Sequence, residues 1–345
     1  MIEIDGGQRS GSGTILRVSL SLAAILGETL HIHDIRRNRP QPGLRPQHLA
    51  AVTTAGKLCN AKLQGASLAS RELFFEPETI KTGVFKAEIG TAGSITMLIA
   101  TLLPICAYAK DAIRVQISKG GTDVRHSPTI NYMRFVLLPI LKCMGLHSGI
   151  DVKKYGYYPK GLGEVTLASQ PCESFQSLSL ENRGTIKTIE GISVCTFLHK
   201  NRVAERQARA AEIYLRERGY PSNIQVVNDK SNPSQKGSSL VLWATTDTGA
   251  ILGSDAIGEI KKTSEMVGLE AAEKLYNEIS SKATVDVNLA DLLIPYMGLA
   301  EGKSTYLTRA ISDHLSTNIW LVKKILKVKF KIEKVDDFYK IEKKP

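Results

Sequence analysis

Apolar and polar residues alternate over Ile2-Glu3-Ile4, pause at Gly6, Gly7, Gly11 and Gly13, and give way to an apolar run from Ile15 to Leu26. A period of two marks a strand and a sustained apolar run a helix, so the chain opens as strand, glycine loop, helix. The same plan recurs at Phe85-Lys86-Ala87-Glu88-Ile89, then Gly90-Thr91-Ala92-Gly93-Ser94, then the apolar stretch Ile95 to Ala107. Between the two copies, Glu28 to Ile35 and Ser70 to Glu76 read as strands and Gln47 to Leu63 as a helix. A repeat this long is a whole supersecondary unit rather than a solenoid turn, which predicts a large domain built from several similar α/β layers.

The texture changes around Arg183-Gly184. Lys187 to Phe197 reads as a strand, Asn201 to Arg218 as a charged amphipathic helix stopped by Gly219 and Pro221, and Asn223 to Asn228 as the next strand. A polar loop from Asp229 to Gly237 separates it from Leu240-Val241-Leu242-Trp243-Ala244, and a helix from Thr263 to Ile279 closes the block. The expected organisation is a large repeated α/β domain over residues 1–184 and 281–345, with 185–280 inserted as a small α/β domain. In the tail, Lys327, Lys329 and Lys331 alternate with Val328, Phe330 and Ile332, which predicts an edge strand with a basic outer face.

Composition narrows the classes. The chain has 345 residues, 43% of them hydrophobic, enough for a sizeable core. A net charge of +11 favours polyanionic partners without choosing among them. Five cysteines without a C-x-x-C pair point to neither a zinc site nor a disulfide framework, and a reducing, cytoplasmic setting is expected. The stretch Ile95 to Ala107 is too short to span a bilayer, and Met1-Ile2-Glu3-Ile4-Asp5 is not a signal peptide, so no membrane partner is expected.

Several motifs suggest chemistry that their spacing denies. The N-terminal loop has Leu16 where a dinucleotide fingerprint needs its third glycine, and Gly302-Lys303-Ser304 has Met297 where a Walker loop needs its first. His31-x-His33 with Asp34 puts two imidazoles on one face of a strand but supplies no further zinc ligands nearby in sequence. More informative is the segment from Ile35 to His48, where Arg36, Arg37, Arg39 and Arg45 stand among stiffening prolines beside Gln47 and His48; guanidinium forks suit phosphate oxygens. Finally, Asp313-His314-Leu315-Ser316-Thr317-Asn318 precedes an apolar helix from Ile319 to Ile325 and sets one histidine among hydroxyl and amide groups.

Together these segments resemble the RNA 3'-terminal phosphate cyclases, in the right order over nearly the whole chain. The matches are Asp5-Gly6 with Ile15-Leu16-Arg17; Ile35-Arg36 with Arg39 and Pro42-Gly43-Leu44; Gln47-His48-Leu49; Gly93-Ser94; Gly120-Gly121-Thr122; Gly156-Tyr157-Tyr158-Pro159-Lys160-Gly161 with Gly163-Glu164; Ala290-Asp291; and His314 with Thr317-Asn318. The resemblance implies an α/β fold: a large domain of repeated units with two helices on a four-stranded sheet, similar to enolpyruvate transferases, plus a smaller insert.

It also implies a ligase-type activity in which His314 attacks the α-phosphate of ATP, releases pyrophosphate and passes AMP to an RNA 3'-phosphate. The neighbouring 2'-hydroxyl then closes a 2',3'-cyclic phosphate and AMP leaves. Arg17, Arg36 and Arg39 are the implied partners of the phosphates, together with a divalent metal, Mg or Mn, whose protein ligands the sequence does not identify. Gln47 and His48 would line the phosphate site, Pro128 would stack on adenine, Asp291 would hold the ribose, and Leu289 and Ala290 complete the implied nucleotide-binding residues. Asp291 can also be read as a cap of the apolar segment Leu292 to Leu299. Three positions depart from the family pattern: Ser10 replaces a metal-binding glutamate, Ala100 a glutamine, and Asn288 an aromatic that would stack on adenine. They leave open a cyclase-like RNA-binding or ribosome-assembly protein without catalysis. An enolpyruvyl transferase follows only from shared architecture.

Overall fold

The computed structural model describes all 345 residues, and three stretches of the chain fold on one plan. The first runs through β1 (Ile2–Asp5), α1 (Gly13–Leu26), β2 (Leu30–His33), α2 (Pro46–Cys59), β3 (Lys62–Gln64) and β4 (Leu73–Glu76). Its strands lie in the order β1-β2-β4-β3, with β1 and β2 parallel and the other neighbours antiparallel. The second comprises β5 (Gly83–Glu88), α3 (Ile95–Ala107), β6 (Ile113–Gly120), a broken helix made of α4 (Ile130–Tyr132), a wide turn over Met133–Leu137 and α5 (Leu138–Cys143), then β7 (Ser148–Lys154) and β8 (Gly163–Ser169). The order β5-β6-β8-β7 and its strand directions repeat the first sheet.

The third unit starts with β9 (Ser179–Leu180). It is interrupted by β10 (Ile186–Thr196), α6 (Val203–Arg216), β11 (Asn223–Asp229), β12 (Gly237–Thr246), β13 (Ile251–Ile257) and α7 (Ser264–Ser280). It resumes with α8 (Val287–Leu299), β14 (Ser304–Thr308), α9 (Asp313–Leu326), β15 (Phe330–Val335) and β16 (Phe338–Lys343). The sheet β9-β14-β16-β15 has the same mixture of one parallel and two antiparallel pairs. The interrupting strands form a fourth sheet of different order, β11-β10-β12-β13.

Two hydrophobic clusters hold these layers. The larger joins the three repeated units, and α1 packs against α2, α3 and α9 within it. Ile15, Leu16, Leu20 and Leu22 of α1 are fully buried there, each contributing about 1.5–3 kcal/mol. The smaller cluster draws all its buried members from Ile189 to Ile279. Ile192, Val194, Val241 and Ala250, from the same stretch, pack into the larger core instead and fasten the fourth sheet to it.

Helix ends are where sequence pattern and structure part. α2 stops at Cys59 because Asn60 turns left-handed, φ 50°, and donates to the Gly56 carbonyl; Leu63, which continued the helical period, belongs to β3. α8 is capped by Asp286, whose carboxylate accepts from the Asn288 and Leu289 amides, so Asp291 lies inside the helix rather than capping it. α9 begins at Asp313, because the Ser312 hydroxyl accepts the Leu315 amide and starts the helix six residues before its apolar run. Lys327 is the left-handed end of α9, and β15, at the sheet edge, begins only at Phe330. No helix is long and apolar enough to cross a membrane, and all five cysteines are free.

Candidate functional site

Helix α1 begins under the glycine loop with Ser12 as its cap, and α2 begins at the end of the arginine-rich loop. The start of α9 comes from the far end of the chain, and it meets both. The Thr14 hydroxyl lies 3.2 Å from His314 Nδ1, and the Ser10 amide donates to Thr317 Oγ1 at 3.3 Å. From the arginine loop, Arg39 Nη2 donates to the Ser10 carbonyl at 3.4 Å. Convergent helix N-termini present unpaired amides and a positive dipole end, a setting for anions.

The side chains reinforce that polarity. Arg17, one turn into α1, donates to Thr14 Oγ1 at 3.2 Å. Arg36, left-handed at φ 54°, bends its guanidinium back onto the Gln41 and Gly43 carbonyls at 2.7 and 2.9 Å. The arginines that form ion pairs are Arg37, Arg125, Arg206 and Arg309. Arg17, Arg36, Arg39 and Arg45 therefore have no carboxylate, and they act on one another: burial and Arg36 bring Arg17 down to about 10, while burial, Arg45 and Arg39 lower Arg36. A cluster of four cations without a counter-charge is electrostatically unsatisfied as it stands.

Both histidines here are held neutral. Burial first, then Arg17, Arg36 and Arg45, pushes His48 down to about 3; its Nδ1 accepts the Arg45 amide at 3.2 Å, which places the ring proton on Nε2. His314 is lowered by partial removal from water, then by Arg17 and Arg39, with Asp313 opposing. The residue as a whole nonetheless remains exposed. Gly13 makes this assembly possible: a Cβ there would overlap His48 Nε2 and stand 2.8 Å from Arg17 Nη1.

The other expected residues connect through hydrogen bonds. Gln47 Oε1 accepts the Ser94 amide at 2.8 Å, Ser94 Oγ meets Thr96 Oγ1 at 2.8 Å, and Thr96 Oγ1 donates to the Pro128 carbonyl at 2.7 Å. A polar depression flanks Pro128, and its cations are paired there, Arg125 with Glu259 and Lys262 and Lys274 with Glu270. Asp291 accepts the Ser312 hydroxyl at 2.6 Å, so it touches the cap of the helix that carries His314; burial raises it to about 7. Leu289 and Ala290 are fully buried, and the Ala290 carbonyl is taken by the Tyr306 hydroxyl, so in this conformation neither side chain has a free surface. Asn288 is exposed, and Ala100 packs against the core from α3.

The residues that sequence reasoning missed are Thr14 and Ser312. Thr14 directly follows the glycine loop, and Ser312 stands three residues before Leu315 as an N-cap should, so both carried a local signal. The apparent Walker ending is structural: Gly302 turns left-handed and Lys303 pairs with Glu181 and Glu342. His31 stacks on Phe74 and meets Glu72.

A divalent ion would look for oxygen ligands. The one group with ligand spacing is Asp5, His33 and Asp34. Asp5 is occupied by the Gly7 amide and Asp34 by Arg37 and His33. Around His314 the carboxylates are Asp313 and the hydrogen-bonded Asp291, which do not form such a group. The residues present do not fit a protein-held divalent ion at this site.

Comparison with known proteins agrees in one direction. A family model described as RNA 3'-terminal phosphate cyclase matches residues 8–332. A protein of that name from Pyrobaculum neutrophilum is 42% identical over 343 residues, covering 99% of this chain and 97% of its own. Others of that name from Methanosarcina acetivorans and Pyrococcus furiosus are each 41% identical, covering 99% and 96% of this chain and 99% and 95% of their own.

Proposed function

Because the chain belongs to the RNA 3'-terminal phosphate cyclase family, we propose that it uses ATP to convert an RNA 3'-terminal phosphate into a 2',3'-cyclic phosphate, with AMP carried on His314. The observation that carries this reading is the cluster of Arg17, Arg36, Arg39 and Arg45, unpaired by any carboxylate and set against a neutral histidine at a helix start. It lacks the negative charge that a triphosphate and an RNA 3'-phosphate would bring.

The Thr14 hydroxyl, which accepts from Arg17, can also accept from His314 Nδ1–H, and that tautomer frees the Nε2 lone pair. Nε2 attacks the α-phosphorus, the bond to the β-phosphate oxygen breaks, and pyrophosphate leaves against the arginines. An oxygen of the RNA 3'-phosphate then displaces the imidazole from AMP. Last, the 2'-oxygen attacks the activated phosphorus, its proton passes to solvent, and AMP departs with the bridging oxygen. Positioning and electrostatics dominate such transfers, and Arg17, Arg36, Arg39 and the Nε2–H of His48 are the groups assigned to them.

Gln47 is assigned to the phosphates, Pro128 to the adenine face and Asp291 to the ribose. A divalent ion, Mg or Mn, would enter on the triphosphate itself. Residues 1–184 and 281–345 are proposed as the catalytic domain and 185–280 as its insert, a division supported by the interruption of the third unit between β9 and α8. The threefold recurrence of one strand order supports the likeness to enolpyruvate transferases.

Incubation with α-labelled ATP is expected to give an acid-labile, alkali-stable protein adduct, and a 3'-phosphorylated oligoribonucleotide to become phosphatase-resistant only when its terminal 2'-hydroxyl is present. RNA binding without either product would favour the non-catalytic reading. The adduct should form with a rate that rises from acid pH and levels off, its midpoint below the ordinary histidine value of about 6.5. Cations lower that midpoint, so Arg39→Ala should move it upward; a downward move would contradict the electrostatic account. Gly13→Ala should cut adduct formation about 100-fold, because the added methyl displaces His48 and Arg17 together. A variant that labels at the wild-type rate would show that their placement does not matter.

A further inference from the structure

Two adjacent tyrosines meet opposite fates on the loop after β7. Tyr157 is 4% exposed; its hydroxyl lies 3.2 Å from Thr196 Oγ1, and Gly237 lies flat against its ring. Tyr158 is 80% exposed and is the one aromatic residue of the chain left in the open. Burying the ring of a tyrosine is favourable, so an aromatic held out by hydrogen-bonded neighbours calls for an explanation.

Its neighbours are well held. The Gly161 amide closes the tip onto the Tyr157 carbonyl at 2.7 Å, and the Gly156 amide donates to Thr122 Oγ1 at 3.0 Å. From the fourth sheet's side, Asn232 Nδ2 donates to the Tyr155 and Leu162 carbonyls at 2.7 and 3.3 Å, gripping the loop at both ends. The tip carries a second free group, Lys160: nearby Lys154 pairs with Glu164 and Lys119 with Glu88, but Lys160 makes no ion pair.

The loop also abuts the site. A Cβ on Gly161 would stand 2.8 Å from the Thr91 carbonyl oxygen and 2.9 Å from Ala92 Cα, and one on Gly93, next in that segment, 2.9 Å from Gln47 Cβ. The tip is thus one loop removed from Gln47, and Gln47 adjoins His48 and the arginines. An exposed ring and an unpaired cation on a rigid support match a stacked base and its backbone phosphate, and pre-organisation keeps the ordering cost low.

We propose that Tyr158 is the stacking platform for a base within the last three nucleotides of the RNA whose 3'-phosphate enters the site, with Lys160 on the adjoining phosphate. This rests on the function proposed above. The test is binding of a 5'-fluorescein, 3'-phosphorylated oligoribonucleotide by anisotropy, run beside labelling with α-labelled ATP. Tyr158→Ala should weaken binding about tenfold, Tyr158→Phe less than twofold, and neither should alter the labelling rate. Lys160→Gln should reduce the slope of log Kd against log salt by about 0.7. A single abasic nucleotide among the last three should weaken binding to the wild type and not to Tyr158→Ala. A wild type that binds no better than Tyr158→Ala, or an abasic penalty that persists in the variant, overturns the platform. Absence of label in the wild type would instead overturn the role of His314 and leave the binding result to decide the platform.

Discussion

Replacing His314 by alanine is expected to abolish the covalent AMP adduct, with loss of at least about 1000-fold in labelling and of all RNA end conversion that depends on it. The size follows from the role: no second imidazole is free to take over, since the remaining groups are cations, hydroxyls, an amide and the carboxylates of Asp313 and the hydrogen-bonded Asp291. His48 cannot replace it, since its Nδ1 accepts the Arg45 amide and its ring is buried against Gly13. Fold and function should separate cleanly in this variant. His314 is an exposed residue and its one side-chain hydrogen bond is to Thr14, so circular dichroism and the melting temperature should stay near wild type. His314→Asn, which keeps a polar group near Thr14 but offers no basic nitrogen, should be equally dead. Label surviving in either protein would show that the AMP resides elsewhere.

How much of this was legible beforehand depended on the kind of signal. Apolar period placed β1, α1, α3 and α7 within a few residues, because their burial patterns are strong and their caps, Ser12, Ser94 and Thr263, stand where the pattern begins. Helix starts made of polar residues escaped it. α9 has a first turn of Asp313, His314, Leu315 and Ser316, and its start is fixed by the Ser312 cap and not by hydrophobicity. The third copy of the repeated unit was also hidden, since β9 is two residues long and more than a hundred residues separate it from α8. Among the site residues, local groupings such as Arg36, Arg39, Gln47 and His48 could be read from the chain. The approach of Thr14 to His314 could not, because it joins positions 300 apart through packing of α1 on α9.

The second large effect concerns the arginine loop. Arg36→Ala with Arg39→Ala is expected to slow adduct formation at least about 100-fold, since each removed cation otherwise offsets charge that grows on the departing pyrophosphate, and single contacts of that type are worth about 10²–10³ in rate. The two arginines differ in what else they do. Arg39 makes one long contact, to the Ser10 carbonyl, whereas Arg36 closes its own loop through the Gln41 and Gly43 carbonyls. Its loss therefore also loosens the segment, and a control must separate loosening from loss of charge. Arg36→Lys with Arg39→Lys retains two cations but not the planar fork, so it should recover only part of the rate. Inorganic pyrophosphate supplies the other control. An anion that binds only the folded protein raises its melting temperature as concentration exceeds Kd, and the wild type, whose four unpaired arginines repel one another, should gain clearly. The double alanine variant should gain much less, and its unliganded melting temperature should fall little, because relief of repulsion offsets the lost loop contacts. Equal stabilisation of both proteins by pyrophosphate, or wild-type labelling by the double variant, would remove Arg36 and Arg39 from the phosphate site and leave Arg17 and Arg45 to account for it.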